Sequence, residues 1–551
     1  MGWFFKKPAD AAGSTTVAFL VGLFVAFGGV LFGYDIGYIS GILAMKYWKT
    51  HFSTGYRDEF GELNVTAGQQ SLIVSILSAG TFAGALLSSP IADHIGRRKA
   101  LMVNSCVFMF GNALQTAATA IPLFLAGRFF AGKTAPGGKK EKSEFSLSSA
   151  YTNNPPGLGV GLLSATIPLY QAETSPKWLR GAVIGSYQLF ITVGMFMAGI
   201  VDNATKDRND TGCYRIPIGV QFIYALIIFS GSMFLPETPR QLVRRSDFDG
   251  AAKSLSRLRR LSIDHPAIVD ELAEIRGNHE YEMSLGSASY LTCFRKPLRK
   301  RLISGICLQA LQQLTGINFI FYYGTTYFQR TGISNPFLVT VICDVCNIVG
   351  VFPGLYLVEK WGRRPLLIMG ALGMAACEFI VAAIGVTMPD STTANSVVIA
   401  FVCFYIIFFE LSWGPCAWVV TGEIFPLKTR AKALGMTSSS NWLLNWALAY
   451  ATPYMVNPGK GNANLGSKVF FIWGALCVLC AVFVQFCIYE TKGLSLEQVD
   501  ELYEKVPHAW QSAGFVPTVS FADIQQRSLS MAGEEKEGKI ENEVAVSEVS
   551  S

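Results

Sequence analysis

Long apolar runs separated by short polar segments dominate the chain. An α-helix needs about 20 mostly apolar residues to cross the hydrocarbon core of a bilayer. Runs of this kind predict an all-α membrane protein with twelve transmembrane helices. The predicted helices lie at residues 17–45, 68–92, 100–120, 121–132 continued by 157–171, 181–201, 216–236, 299–328, 336–358, 364–386, 396–424, 433–456 and 466–488.

Composition supports the same class. Of 551 residues, 51% are hydrophobic and only 15% are charged, which is more apolar than a soluble protein of this length. A net charge of +6 gives no indication of nucleic-acid binding, and the twelve cysteines lie mostly inside apolar runs without metal-site spacing. The sequence has no catalytic triad pattern and no nucleotide-binding loop. We therefore expect no enzyme activity, no cofactor and no metal.

The distribution of basic residues predicts the orientation in the membrane. The long loop 237–298 and the short loop "DHIGRRK" are rich in arginine and lysine, so both are expected in the cytoplasm, together with both termini. Glycosylation sequons at Asn64, Asn203 and Asn209 fall in loops of the opposite side. The expected location is the plasma membrane, spanned many times.

Internal repeats divide the chain into two halves. "IADHIGRRKAL" has a counterpart in "LVEKWGRRPLL", "QAETSPKWLRGA" in "TGEIFPLKTRAKA", and "FLPETPRQL" in "CIYETKGLS". We therefore predict two six-helix pseudo-repeats, with a helical linker between them and a largely disordered final segment. The predicted segments are 1–16 (N-terminus), 17–236 (first half), 237–298 (linker), 299–488 (second half) and 489–551 (tail).

Charged residues recur at matching positions of the two repeats. Seven residues separate Glu173 from Arg180, and the same number separates Glu423 from Arg430. Such charges can pair in one conformation and separate in another, as a conformational latch. Ordinary interfacial charges are the alternative. The predicted latch residues are Asp93, Arg97, Arg98, Glu173, Arg180, Glu237, Arg240, Glu359, Arg363, Arg364, Glu423, Arg430 and Glu490.

Ordered motifs give the chain a family resemblance. They are "GYDIG" (33–37), "DHIGRRK" (93–99), "PETPR" (236–240), "QQLTGIN" (312–318), "EKWGRR" (359–364), "WGPCAWVVTGEIFPLKTR" (413–430) and "YETKG" (489–493). Together they resemble the sugar porter family of the major facilitator superfamily, most closely the fungal high-affinity glucose and monosaccharide transporters. The resemblance implies a major facilitator fold with cytoplasmic helices between the halves. It also implies transport of a monosaccharide, glucose by default, by alternating access.

Amide side chains predict where the sugar binds. Gln309, Gln312, Gln313 and Asn318 recur at near-helical spacing in one apolar run, where polar groups are costly unless they face an interior cavity. Neutral amides suit an uncharged ligand with many hydroxyls, although hydrogen bonds between helices are an alternative role. The resemblance implicates Gln188, Gln312, Gln313, Asn318, Asn347, Trp418, Asn441 and Trp442 in sugar binding, with Asn445 and Glu410 in support.

Asp35 raises the question of coupling. A carboxylate deep in a membrane helix costs about 2.5–3.5 kcal/mol unless it is protonated or paired, and Arg128 is the expected partner. The resemblance implies that Asp35 takes a transported proton and that Arg128 tunes its acidity; a purely structural pair is the alternative. We expect a monomeric proton-coupled importer. A facilitative uniporter and a non-transporting sugar sensor remain open.

Residues 133–157 interrupt the fourth predicted helix with six charged residues and two consecutive prolines. Arg98 precedes Glu173 by 75 residues, whereas the equivalent Arg364 precedes Glu423 by only 59. Deleting the run would restore a continuous apolar helix. Codons for its ends can also carry a splice donor, a branch point and an acceptor. We therefore interpret residues 133–157 as a translated intron, with a genuine regulatory insert as the alternative.

Overall fold

Apolar helices account for nearly all of the regular structure that is described. The computed structural model describes residues 13–57, 61–130, 158–176, 180–284, 290–296, 298–330, 333, 335–388, 391–459, 461–494 and 496–516. The interpretation of residues 133–157 and most of the predicted disordered tail therefore fall outside the described residues, as does the side chain of Arg180.

The described part of the chain contains 21 α-helices. In order they are α1 Thr16–Ala26, α2 Gly28–Ala44, α3 Lys46–Phe52, α4 Ala67–Ile95, α5 Arg97–Thr116, α6 Ile121–Phe130, α7 Leu158–Thr174, α8 Arg180–Thr205, α9 Gly212–Ser232, α10 Pro239–Arg244, α11 Phe248–Arg259, α12 Pro266–Ser284, α13 Leu298–Leu314, α14 Ile317–Arg330, α15 Pro336–Trp361, α16 Arg363–Thr387, α17 Thr392–Leu411, α18 Trp413–Glu423, α19 Leu427–Val456, α20 Val469–Cys487 and α21 Leu496–Lys505.

Eight helical stretches of the described chain are long and apolar enough to cross a membrane. They include α1 with α2, α17 with α18, and single helices such as α4, α8 and α20. The four other predicted spans correspond to α5 and α19, which carry more polar residues, and to α6 with α7 and α13 with α14, in which each helix is a short segment of at most 17 residues. The arrangement is the predicted all-α fold of twelve transmembrane helices.

Two of the spans are broken near their middle. Between α13 and α14, Gly316 adopts φ +84, and a Cβ there would press into the ring of Trp473, so the position requires glycine. Between α17 and α18, Ser412 leaves the helical region with φ −129 and ψ −78. The apolar pattern had predicted continuous helices at 299–328 and 396–424, because periodicity does not register a single-residue break. Broken helices near the midplane frame the binding sites of many transporters.

Contacts between the halves are concentrated on three helix pairs, α4 with α19, α8 with α15, and α2 with α14. We call the end of the bundle that carries α10–α12 and α21 the linker side, and the opposite end the far side. On the far side, hydrogen bonds join the halves. They include Ser40 Oγ with Thr325 Oγ1 (3.0 Å), Asn457 Nδ2 to Gln70 Oε1 (3.0 Å), and Lys206 Nζ to Asn335 Oδ1 (3.1 Å).

Short helices cover the linker side. Thr238 caps α10 and Asp247 caps α11 through their side-chain oxygens. Arg259 then joins α11 to Glu271 of α12 at 2.7 Å and donates to the carbonyl of Thr174 at 3.2 Å. The linker is thereby anchored to the first half.

Part of the predicted disordered tail is ordered. Its polar composition hid the amphipathic helix α21, whose Leu502 is fully buried against the second half. Asp500 of α21 contacts Arg301, and Lys300 Nζ donates to Tyr489 Oη at 2.6 Å. Regular structure therefore extends into the predicted tail as far as residue 514, in α21 and a short 3₁₀ helix, Ala509–Gly514.

Candidate functional site

Amides from α13, α14 and α19 form one buried hydrogen-bond network. Asn441 is its centre: its Nδ2 donates to Gln309 Oε1 and Gln312 Oε1, each at 2.7 Å, and its Oδ1 accepts from Gln313 Nε2 at 3.0 Å. Asn318 donates to Gln313 Oε1, and Asn445 Nδ2 donates to the same oxygen at 3.1 Å. The break at Gly316 brings Asn318 to the side of the helix where the glutamines lie.

The network also reaches the first half of the protein. Asn445 Oδ1 accepts from Ser78 Oγ of α4 at 2.6 Å and from Tyr322 Oη at 3.2 Å. Its six amides are at most 9% exposed, and no charged side chain is among them. A small cavity beside it is lined by Gln313, Asn318 and Tyr323, among other residues. The arrangement offers neutral donors and acceptors to an uncharged polar ligand.

A second polar contact crosses between the halves. Gln188 Nε2 of α8 lies 3.3 and 3.4 Å from the two carboxyl oxygens of Glu410 in α17. Gly414 connects this contact to the amide network: its carbonyl accepts from Gln312 Nε2 at 3.3 Å, and a Cβ on it would lie 2.8 Å from Glu410 Oε2. A ligand that moves Gln312 would therefore disturb the Gln188–Glu410 contact.

The remaining predicted sugar residues lie outside the amide network. Asn347 is fully buried, with Nδ2 3.6 Å from Met195 Sδ and with Oδ1 lacking a hydrogen-bond partner. Trp442 is 5% exposed and packs edge-on against Phe32 of the first half, at 5.2 Å between ring centroids. Trp418 is 39% exposed. The structure thus brings most of the predicted amides together and places both tryptophans at the periphery.

Asp35 and Arg128 occupy a pocket of the first half but do not touch. Neither carboxyl oxygen of Asp35 has a hydrogen-bond partner, although the residue is 1% exposed. Tyr38 stands between them: its Oη accepts from Arg128 Nη1 at 2.8 Å and donates to Gln115 Oε1 at 2.6 Å. Arg128 acts on Asp35 electrostatically across this gap. Arg128 is thus near the carboxyl of Asp35 without an ion pair to it, and its hydrogen bond goes to Tyr38.

Sequence reasoning missed the polar neighbours of Asp35. Tyr38 lies one helical turn after Asp35, so the i,i+3 spacing could have identified it. Gln221 of α9 acts on Asp35 and Gln115 of α5 accepts from Tyr38, and nothing in the sequence indicates that these helices meet there. Tyr322 links the two regions, since it donates to Asn445 and feels the charges of Asp35 and Arg128.

The latch residues of the first half form a cluster on the linker side. Arg97 Nη2 lies 2.9 Å from Asp93 Oδ1 and 3.0 Å from Glu173 Oε1. Glu237 accepts from the backbone N–H groups of Arg97 (2.9 Å) and Arg98 (3.2 Å), and Thr238 Oγ1 donates to Glu173 at 2.5 Å. These bonds fix the end of α4, the start of α5 and the end of α7 to one another.

The second half repeats the cluster bond for bond. Arg363 Nη2 lies 3.1 Å from Glu359 Oε1 and 2.9 Å from Glu423 Oε1. Glu490 accepts from the backbone N–H groups of Arg363 and Arg364, each at 3.0 Å, and Thr491 Oγ1 donates to Glu423 at 2.6 Å. The two clusters were predicted as a repeat, and their geometry is that of a repeat.

The bonded partners differ from those suggested by the seven-residue spacing. Glu173 and Glu423 bind the arginines of the preceding motif, Arg97 and Arg363. Arg430 is half-buried at the start of α19, and Arg240 is exposed.

In the described ranges, no three or more histidine, cysteine, aspartate or glutamate side chains are grouped as metal ligands.

A bundle of two repeated halves around a buried polar network defines a transporter of the major facilitator type. The family profile described as "Sugar (and other) transporter" matches residues 21–136 and 156–503. The chain belongs to this family.

Curated relatives and solved structures agree. The chain is 55% identical to the major facilitator-type transporter ecdD of Aspergillus rugulosus, over 94% of this chain and 93% of that protein. It is 48% identical to the probable glucose transporter rco-3 of Neurospora crassa (97% and 86%) and 40% identical to the high glucose sensor RGT2 of Saccharomyces cerevisiae (90% and 62%). The proton:xylose symporter XylE, solved with 6-bromo-6-deoxy-D-glucose, aligns with a TM-score of 0.71 at 25% identity, covering 89% of this chain and 99% of XylE.

Proposed function

We propose that the protein imports a monosaccharide together with a proton across the plasma membrane by alternating access, as a monomer. The observation that carries the proposal is the buried amide network of Gln309, Gln312, Gln313, Asn441 and Asn445. Sugar hydroxyls can replace hydrogen bonds that these amides now make to one another. Such an exchange leaves no buried donor or acceptor unpaired.

The absence of charge among the six amides favours a neutral sugar as the ligand. A glucose transporter and a xylose symporter are among the similar proteins, and glucose is the substrate we propose by default. The experiment is uptake of labelled glucose, xylose, galactose and mannose by yeast cells that lack their own hexose transporters. No uptake of any sugar above the vector control would contradict the proposal.

Proton coupling is supported by the pocket around Asp35. Its carboxyl is buried without a hydrogen-bond partner, while Arg128 acts on it through space. A group in this position can exist neutral or charged, depending on which side of the membrane it meets. The similar XylE is described as a proton:xylose symporter. Uptake should rise as the external pH falls and should collapse with a protonophore.

The same uptake assay distinguishes proton-coupled import from two other functions. A facilitative uniporter would equilibrate labelled sugar but would not concentrate it, with or without a protonophore. A sugar sensor would bind sugar without any uptake, and the similarity to RGT2 is the observation that favours it. Concentrative uptake excludes both.

The two charge clusters support the alternating-access step. Each cluster ties helices of one half into a rigid unit on the linker side, whereas direct hydrogen bonds between the halves lie on the far side and near the amides. This corresponds to a state closed on the far side. In the opposite state the clusters would rearrange, with Arg180 and Arg430 as the proposed alternative partners.

We place the linker side in the cytoplasm and the far side outside the cell. The three glycosylation sequons then face outward, but they differ in access. Asn64 is 4% exposed and its Oδ1 accepts from the N–H of Val65 at 2.9 Å, whereas Asn209 is exposed. Asn209→Gln should therefore remove more glycan, seen as a mobility shift, than Asn64→Gln. No shift in any sequon variant would contradict the orientation or show that the sites are unused.

Residues 133–157 are proposed to be a translated intron. The family profile leaves residues 137–155 unmatched, while α6 and α7 both pack against α4 and α5, as two parts of one transmembrane span would. Sequencing the cDNA between the codons of Arg128 and Glu173 tests the proposal. A dominant mature transcript that keeps the run would overturn it. The variant lacking the run should transport at least as well as the full chain.

A further inference from the structure

Two buried aspartates face the same region of the interface between the halves. Asp202 lies in α8 of the first half and is 1% exposed; Asp344 lies in α15 of the second half and is 3% exposed. Neither belongs to the amide network, to the Asp35 pocket or to the charge clusters. Carboxyl groups in membrane helices are costly and commonly mark a function.

The packing of the helices places the two carboxyl groups on one face of α8. Asp344 Oδ2 lies against Gly199 of α8, 2.7 Å from where a Cβ of that residue would stand. Gly199 precedes Asp202 by three residues, so the two positions are neighbours on the helix surface. The carboxyl of Asp202 is also pressed against Gly41 of α2, where a Cβ would clash with it. Asp344 acts electrostatically on Asp202.

Two buried polar atoms at this place have no hydrogen-bond partner among the residues that the structure describes. Asp202 Oδ1 is buried and has no hydrogen-bond partner. The hydroxyl of Tyr34, a fully buried residue of α2 that feels the charge of Asp202, also has none. Asp344 lines a small cavity together with Gly37, Met195 and Thr340. The pair is therefore incompletely satisfied as it stands.

The charged and titratable groups around the pair provide no counter-ion. Neither carboxyl has an ion pair with a lysine or arginine of the described residues. Lys206, four residues after Asp202, directs its ammonium to Asn203 Oδ1 (3.0 Å) and Asn335 Oδ1 (3.1 Å). The other titratable neighbours are thiols and phenols: Tyr34, Tyr224, Cys343, Cys346 and Cys403. Two adjacent carboxylates in such surroundings repel each other unless a proton neutralises one of them.

We propose that the Asp202–Asp344 pair takes up a proton, which neutralises one of the two carboxyl groups and holds the far side closed. The proton enters from water on the far side as the halves close there, and it returns to the same side when they open. It is therefore a gating proton, separate from the transported proton assigned to Asp35. Asn347 lies one turn from Asp344 and contacts Met195 of α8, so the state of the pair is transmitted toward the predicted sugar residues.

The pair belongs to a larger seal on the far side. Ser40 Oγ contacts Thr325 Oγ1 at 3.0 Å, and Thr325 Oγ1 contacts Thr340 Oγ1 at 2.8 Å, which links α2, α14 and α15 next to the aspartates. Ser40 is fully buried in this closed state. A thiol at that position would become accessible only when the far side opens.

The experiment measures this opening in full-length protein in lipid nanodiscs, without sugar. Ser40→Cys supplies the reporter, and its labelling by a water-soluble maleimide is quantified by mass spectrometry at about pH 5.5 and about pH 7.5. Each value is divided by the labelling of the unfolded protein at the same pH. This division corrects for the pH dependence of the thiol's own reactivity with maleimide. Labelling should rise about fivefold with pH, because deprotonation drives the halves apart.

Asp202→Asn and Asp344→Asn, singly and together in this background, should reduce the rise to less than about twofold, since each change removes the repulsion between two carboxylates that opens the far side. Glu378→Gln is the matched control: this buried carboxyl of α16 lies within the second half, accepts from Cys477 Sγ at 3.3 Å, and should leave the rise intact. A full rise in the single and double Asn variants, or no rise in the parent, would overturn the proposal. The proposal assumes alternating access, but the labelling needs no transport, so a failure of sugar uptake is distinguished from a failure of the gate.

Discussion

The two polar regions near the middle of the bundle are built differently. In the second half, six amides satisfy one another through hydrogen bonds and carry no charge. In the first half, Asp35 is buried and, among the residues that the structure describes, neither its carboxyl oxygens nor Arg128 Nε and Nη2 have a hydrogen-bond partner. A satisfied neutral network can exchange its bonds for those of a sugar. The pocket around Asp35 is the place where we propose that a proton binds instead.

On the linker side the halves are instead alike. The Arg97 cluster and the Arg363 cluster share the same bonds at nearly the same distances. The two halves are thus alike in their charge clusters on the linker side. They differ near the middle of the bundle, where we propose that one half binds the sugar and the other binds the proton. The comparison suggests that the second half determines sugar binding and the first half determines proton coupling. Four predictions test this.

The largest effect is expected at Asp35. Asp35→Asn keeps the shape of the side chain but removes its charge, so no proton can be carried. Accumulation of labelled sugar against its gradient should be abolished, while sugar exchange continues. Glu378→Gln, which neutralises a buried carboxyl away from the pocket, should accumulate like the parent. If Asp35→Asn also accumulates sugar, Asp35 is structural and the uniporter remains.

Amides of the second half should affect binding rather than coupling. Gln312→Ala removes donors to the carbonyls of Trp413 (2.8 Å) and Gly414 (3.3 Å), and Asn318→Ala removes a donor to Gln313. Each should weaken sugar affinity by about 1–3 kcal/mol. The sensitivity of uptake to a protonophore should persist.

Asn104→Ala is the control for these variants. Asn104 is a buried amide of α5 that donates to Thr166 Oγ1 at 3.2 Å, away from the network. Its loss should leave the sugar affinity close to that of the parent. Unchanged affinity in both Gln312→Ala and Asn318→Ala would place the binding site elsewhere.

Tyr38 tests how the Asp35 pocket is tuned. Tyr38→Phe removes the hydroxyl that accepts from Arg128 and holds it away from Asp35. Arg128 can then approach the carboxylate and stabilise its charged form, so protonation requires more acid. The external pH for half-maximal uptake should fall by up to about one unit, equivalent to about 1.4 kcal/mol, with little change in sugar affinity.

Tyr214→Phe is a control within the same chain. The hydroxyl of Tyr214 donates to the carbonyl of Ala118 at 3.0 Å, outside the Asp35 pocket. It should leave the pH profile in place. A shift toward higher pH in Tyr38→Phe would mean that the hydroxyl stabilises the charge of Asp35 instead of separating it from Arg128.

The sequence predicted the architecture more completely than the site. Apolar periodicity was enough for the twelve spans, and repeated motifs located the residues of the two charge clusters, although their partners, Arg97 with Glu173 and Arg363 with Glu423, differ from the predicted ones. The break at Gly316 and the separation of Asp35 from Arg128 by Tyr38 escaped prediction, because each depends on how distant helices pack. Asp202 and Asp344 went unnoticed for the same reason, as they lie in different helices, α8 and α15, and belong to none of the repeated motifs.

The smallest effect, and the sharpest test of the likeness between the halves, concerns two threonines. Thr238 donates to Glu173 and Thr491 donates to Glu423, at equivalent places of the two clusters. Thr491→Val removes this hydrogen bond, whereas Thr238→Val removes it together with the cap of α10. Both keep the arginine partner, so each should shift the conformational equilibrium by on the order of 1 kcal/mol. Both variants should therefore change the maximal uptake rate in the same direction, by up to about fivefold.

Thr387→Val provides the baseline, because that exposed hydroxyl bonds only within its own helix, to the carbonyl of Ala383 at 2.8 Å. One cluster variant could match Thr387→Val in maximal uptake rate while the other does not. The two clusters would then share a geometry, but only one of them would affect the conformational equilibrium. The rocking motion would then depend on one half. If both deviate equally, the two clusters act as equivalent latches, and the asymmetry of the protein is confined to the midplane.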